Sequence, residues 1–152
     1  MGIFDALGGV ARSAMNAAKK SQEEARQAYE KGKMMNYRQL VSACKSGSMG
    51  QKSGYNKALK EMINKMSKDM SYDELVKMWE KASVSVEEQC YGKLIIKEID
   101  NKSRHMSDRE VVEAYNNSFI TIERKGYAKV LEKRGYIEKN SEGKYQRTSK
   151  RL

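Results

Sequence analysis

The sequence predicts an all-α fold of stacked helical hairpins, three repeats of about 36 residues each, and three observations carry that expectation. A six-residue phrase occurs three times, as Gly54-Tyr55-Asn56-Lys57-Ala58-Leu59, Cys90-Tyr91-Gly92-Lys93-Leu94-Ile95 and Gly126-Tyr127-Ala128-Lys129-Val130-Leu131, and its starts lie 36 residues apart both times. The later two copies agree well beyond the phrase. Met70, Ser71, Glu74, Val76, Glu87 and Lys97 return 36 residues on as Met106, Ser107, Glu110, Val112, Glu123 and Lys133. Finally, the chain has no proline and is rich in Ala, Met, Lys, Glu and Gln, which favour helix throughout.

Residues 1–33 read as an N-terminal amphipathic helix or arm. Phe4, Leu7, Ala11, Met15 and Ala18 follow helical spacing and give a narrow apolar stripe, and the text turns charged from Ser21 to Lys33. Three roles fit it: a cap packed on the repeats, a contact with another copy in a homo-oligomer, or an anionic membrane surface met by residues 3–18, with Lys19 and Lys20 near headgroups. Gly2 invites comparison with a myristoylation signal, but that motif requires Ser or Thr where this chain has Ala6.

The repeat domain spans 34–139, divided as 34–69, 70–105 and 106–139. In the first repeat a short helix from Tyr37 to Cys44 turns Leu40 and Val41 inward. A loop from Ser46 to Gly54 follows, and a second helix from Tyr55 to Lys68 carries Ala58, Leu59, Met62, Ile63 and Met66 on one face. The second repeat starts at a capping box, Ser71 with Glu74, ahead of Leu75, Val76, Met78 and Trp79. Its second helix opens at Ser85 with Glu88 and carries Tyr91, Leu94, Ile95 and Ile99. The third repeat restates this with Ser107 and Glu110, then Val111, Val112 and Tyr115, then Thr121 with Arg124, and Tyr127, Val130 and Leu131. Tyr55, Tyr91, Tyr127, Trp79 and Tyr115 are the expected packing residues between helices. Hairpins this short cannot bury their apolar faces alone, so stacking supplies the partner. Gly135 reads as the glycine that closes the last helix. Beyond it, two short aromatic-bearing runs flank the polar turn Asn140-Ser-Glu-Gly143, so 140–152 reads equally as part of a β-hairpin or as a basic tail.

The net charge is +10, unevenly spread: +2 over 1–33, +5 over 34–69, −1 over 70–105 and +4 over 106–152. Basic surfaces of this kind attract nucleic acid, anionic lipid or an acidic protein. Cys44 and Cys90 fall in different repeats and form no metal-like pair, as expected of reduced thiols in the cytoplasm. No apolar run is long enough to cross a bilayer. Gly50-Gln51-Lys52-Ser53 lacks the Gly-Lys-Ser order and the preceding strand of a phosphate-binding loop. His105, the single histidine, stands apart from any ligand-spaced Cys, Asp or Glu cluster. Glu87/Glu88 and Glu110/Glu113 belong to helix N-terminal turns, where carboxylates favour the dipole. No nucleophile has a base in view, so neither an enzyme nor a cofactor is expected.

The end of the chain offers one further pattern. A helix through Leu131-Glu-Lys-Arg-Gly-Tyr-Ile137, a polar turn and Gly143-Lys-Tyr-Gln-Arg-Thr resembles the recognition-helix-plus-wing ending of winged helix DNA-binding proteins, over about 35 residues. The resemblance implies DNA contacts through Arg124, Lys125, Lys129, Arg147 and Lys150. The same helix pair occurs wingless at 70–104. The function expected from the whole is a non-enzymatic cytoplasmic binding or adaptor module with a basic surface for an acidic partner, nucleic acid ahead of protein. Lys52, Lys57, Lys60, Lys65, Lys129, Lys144, Arg147, Lys150 and Arg151 are the expected anion contacts. The alternative is a membrane-peripheral or self-associating scaffold organised by the N-terminal helix.

Overall fold

A computed structural model describes the backbone of residues 3–152 and the side chains from residue 8 onward; Gly2 and the side chains of Phe4 and Leu7 lie outside the described residues. The fold is all-α, as expected. Among the described residues its helices are α1 (Ile3–Gly32), α2 (Tyr37–Ser46), α3 (Met49–Met66), α4 (Tyr72–Glu80), α5 (Ser85–Ser103), α6 (Asp108–Asn117) and α7 (Thr121–Lys133), with a 3-10 turn at Ser67–Asp69. Strands β1 (Ile137–Lys139) and β2 (Tyr145–Arg147) close the chain as an antiparallel pair. Two compact units form, one from residues up to Asp69 with Ala82–Glu88, the other from Met70–Lys81 with Gln89–Leu152.

In the first unit the C-terminal half of α1 lies against α3 because Gly54 has no side chain. A Cβ there would sit 2.0 Å from the Ala25 carbonyl oxygen and 2.7 Å from the Tyr29 nitrogen, so only glycine lets the two backbones meet. Ala28 and Gly32 are buried at the same seam, and Leu40, Leu59 and Ile63 are sealed from water beneath it. Tyr29 fastens the edge, its hydroxyl donating to Glu61 at 2.8 Å. Within α1, residues 8–23 are all exposed.

The expected loop from Ser46 to Gly54 is instead almost all helix. Ser48 and Gln51 form a reciprocal capping box, so α3 begins at Met49 and the connection shrinks to Gly47-Ser48. Gly50 and Gly54, which read as helix breakers, are close-approach residues facing α1. Asn36 and Gln39 cap α2 in the same way.

Glu87 anchors the 82–88 segment. It is buried and accepts from the Ser83 N–H at 2.8 Å, the Ser83 hydroxyl at 3.2 Å, the Val84 N–H at 3.2 Å and the Tyr37 hydroxyl at 2.5 Å. The cap of α5 therefore comes from Glu87 reaching back to Ser83, in place of the expected Ser85–Glu88 pair. Burial, with a smaller push from Glu87, raises the nearby Cys44 thiol to about 11.

In the second unit α4, most of α5, α6 and α7 stack as expected of hairpins. Gly92 lets Ile122 and Trp79 close in, and Gly126 admits the Ile99 side chain, whose Cδ1 would lie 2.6 Å from an added Cβ. Ser71–Glu74 and Ser107–Glu110 make the two predicted capping boxes. The expected Thr121–Arg124 start does not form; Ile120 occupies the cap of α7 with no side-chain hydrogen bond. Tyr55, Tyr91 and Tyr127, each on the second helix of its hairpin, are all buried, while Trp79 and Tyr115 are half-buried.

The Tyr72 hydroxyl donates to Glu123 at 2.7 Å. This bond restates Tyr37–Glu87 one repeat later: the first residue of a hairpin donates to a glutamate in the second helix of the next. At the third start the pattern reverses. Asp108 stands where a tyrosine is expected and accepts from Tyr136 and from Arg134, the latter at 2.6 Å. Arg134 also donates to the carbonyls of Ser103 at 2.5 Å and Met106 at 3.0 Å. Gly135, at φ 80, turns the chain out of α7, with the Tyr136 N–H returning to Leu131 O and the Gly135 N–H to Glu132 O, a Schellman ending.

Candidate nucleic-acid interface

The end of the chain is an ordered hairpin, which decides between the two readings of 140–152. Ile137 pairs with Arg147, Glu138 with Gln146 and Lys139 with Tyr145. The turn is built by Asn140, whose side-chain oxygen accepts from the N–H groups of Glu142 and Lys144, and by Gly143 at φ 75. Because strand residues alternate, Ile137, Lys139, Tyr145 and Arg147 share one face. On it the Lys139 ammonium lies 5.3 Å from the Tyr145 ring centre, and the Tyr145 hydroxyl donates to Glu132 of α7 at 3.2 Å.

Helix α7 is two-sided. Ile122, Gly126, Tyr127, Val130 and Leu131 are buried, while Thr121, Arg124, Lys125 and Lys129 are exposed. The spacing 121, 125, 129 forms one outward row, with Arg124 beside it lying 5.5 Å from the half-buried Tyr115 ring. Carboxylates around this row are engaged by neighbours: Glu123 by Tyr72, Glu132 by Tyr145, Asp100 by Lys133 at 2.6 Å. The Lys133 bond holds the Asp100 carboxyl below its ordinary range. Phe119, in the connection between α6 and α7, is 100% exposed.

The expected anion contacts fall into two sets. Lys52, Lys57, Lys60 and Lys65 lie on α3 in the first unit. Lys60 and Lys65 are exposed and Lys52 is half-buried, whereas the Lys57 ammonium sits 4.4 Å from the Tyr29 ring centre. In the second unit Lys129 and Arg151 are exposed, and Arg147 is exposed on β2. Lys144 pairs with Glu142 at 3.0 Å. Lys150 donates to the Arg134 carbonyl at 2.8 Å and lies 4.3 Å from the Tyr136 ring centre, so it serves first as a clamp. Lys139 and the Arg124–Tyr115 contact were not among the expected contacts. Only the strand register, which sets Lys139 opposite Tyr145, exposes the former.

Among the described residues no group of three His, Cys, Asp or Glu side chains could hold a metal ion, and no helix is long and apolar enough to cross a membrane. No family model, curated protein or solved structure matches this chain.

Proposed function

We propose that this chain is a non-enzymatic cytoplasmic binding module for nucleic acid, and that α7 with the β1–β2 hairpin is the surface it uses. The observation that carries the reading is the outward row of α7. Lys125 and Lys129 stand in it with Arg124 beside them, all exposed; the nearby Glu123 and Glu132 each accept from a tyrosine, and the β1–β2 hairpin with Lys139, Lys144 and Arg147 follows directly. Cations on phosphates release counterions, so affinity falls steeply with salt. Aromatic groups beside the cations, Phe119, Tyr115 and Tyr145, offer faces on which exposed bases stack.

The test is fluorescence anisotropy with mixed-sequence 25-mers of DNA and RNA across a salt series. Replacing Arg124, Lys125 and Lys129 together by Gln is expected to weaken binding about tenfold or more at low salt, and to flatten the log–log salt slope by about 2 to 3. Changing Lys60 and Lys65 to Gln is expected to matter less. Absence of binding at low salt, or binding that salt does not weaken, overturns the proposal.

A second reading is favoured by one observation on α1. Residues 8–23 are wholly exposed although Val10 and Met15 are among them, and residues 8–22 carry Arg12, Lys19 and Lys20 with no acid. A cationic helix with a bare apolar stripe suits an anionic bilayer surface. Sedimentation with phosphatidylserine vesicles, lost on removing residues 1–20, supports this reading; no sedimentation removes it.

A further inference from the structure

A cleft of about 600 Å³ opens in the second unit between α6 and the segment that follows β2. Its floor is apolar, from Val112, Leu131 and Ile137, and Tyr115 and Tyr136 flank it. Arg147, Lys150 and Arg151 line its other side together with Leu152, and no Asp or Glu side chain does. The wall carrying these cations is pinned. The Thr148 hydroxyl donates to the Gly135 carbonyl at 2.6 Å, its N–H donates to Tyr136 O at 3.0 Å, and Lys150 is tied to Arg134 O at 2.8 Å. The volume falls in the range of small-molecule sites. An apolar floor beside unbalanced positive charge matches a ligand with an apolar body and one anionic head.

We propose that this cleft binds an organic carboxylate with a medium-length apolar chain. The chain lies over Val112, Leu131 and Ile137, and the carboxylate meets the exposed guanidinium groups of Arg147 and Arg151, whose forks fit a carboxylate's two oxygens. Lys150 is held by its own bonds and contributes charge more than contact. A nucleic-acid strand, with its charge outermost and repeating, would leave the apolar floor unused. The inference stands apart from the nucleic-acid reading and is measured without nucleic acid present, so either can fail alone.

The experiment uses the full chain, with a bound uncharged dye, Nile red, displaced by decanoate or, for comparison, by decanol. Decanoate is expected to displace the dye at least about tenfold more effectively than decanol. Arg147→Gln with Arg151→Gln should remove that preference and leave decanol unchanged. Val112→Trp, which fills the floor, should weaken both ligands while the helical circular dichroism stays intact. Should Val112→Trp unfold the protein, the arginine pair alone decides. Equal displacement by decanoate and decanol overturns the proposal, as does a decanoate preference that survives loss of both arginines.

Discussion

Gly54 and Gly126 occupy the same place in two copies of one phrase, yet their neighbours give them different sensitivities. In a helix interior Gly→Ala gains about 1 kcal/mol of propensity. At Gly126 the obstacle is Ile99 Cδ1, the far end of a side chain that can rotate, so Gly126→Ala is expected to change stability by no more than about 1 kcal/mol. At Gly54 the obstacle is backbone, the Ala25 carbonyl at 2.0 Å, and α1 must move away as a whole. Gly54→Ala is expected to cost about 1–3 kcal/mol net, with the Tyr29–Glu61 bond strained or broken, read from urea denaturation of both variants. Equal effects would mean that the α1–α3 seam is looser than described. Cys44 gives a second residue-scale check. Its thiol is buried and shifted up to about 11, so the native protein should leave it almost unmodified by a disulfide reagent at pH 7.5 while unfolded protein reacts at once.

At the scale of elements, the hydrogen bonds that join hairpins are phenol-to-carboxylate contacts at repeat spacing. Tyr72→Phe is expected to cost about 1 kcal/mol, and a double-mutant cycle with Glu123→Gln should return a coupling of similar size. The Asp108 clasp adds a pH signature. Tyr136 first, and Arg134 second, hold the Asp108 carboxyl below its usual range. A depressed folded value means that the clasp's stability is fully present above the unfolded carboxyl range, near about 4, and is lost as pH falls through the folded value. Glu74, Glu110 and Asp100, each lowered by its own partners, act in the same direction. Asp108→Asn should therefore lower Tm at pH 7 and narrow the gap to wild type between about pH 4 and 2. Parallel melting curves across that range would remove Asp108 as a contributor.

Helix starts were legible where the Ser-x-x-Glu pattern is plain, at Ser71 and Ser107, and illegible where Gln stands for Glu. Ser48 and Gln51 sat in a Gly- and Ser-rich stretch that local propensity reads as a loop, and tertiary contact with α1 overrides that propensity at Gly50 and Gly54. The α5 start was misread because Glu87 reaches back four residues to Ser83 as well as three to Val84, a geometry that a fixed-spacing template does not contain.

For the whole molecule, the threefold echo was readable because it is periodic, and the buried Tyr55, Tyr91 and Tyr127 are its physical content. Charge was readable only as a sum. Which cations remain available depends on pairings that no spacing rule reveals: Lys57 over Tyr29, Lys144 on Glu142, Lys150 on Arg134 O. The same accounting applies to α1. Because residues 8–23 are all exposed, deleting residues 1–20 should leave Tm within about 2 °C of the full chain, measured by circular dichroism at 222 nm. A large loss would show that residues 1–20 make stabilising contacts, within the chain or with another copy.

The reversal at Asp108 has a consequence for how such a chain can lengthen. Tyr37 and Tyr72 each reach forward to a glutamate about fifty positions on, so a duplicated hairpin inserted between 105 and 106 finds a donor waiting and offers one in turn. Past residue 136 the polarity is spent: Asp108 already holds Tyr136 and Arg134, and a new copy appended there would meet an occupied acceptor. The array can grow from its middle, and the aspartate acts as its full stop.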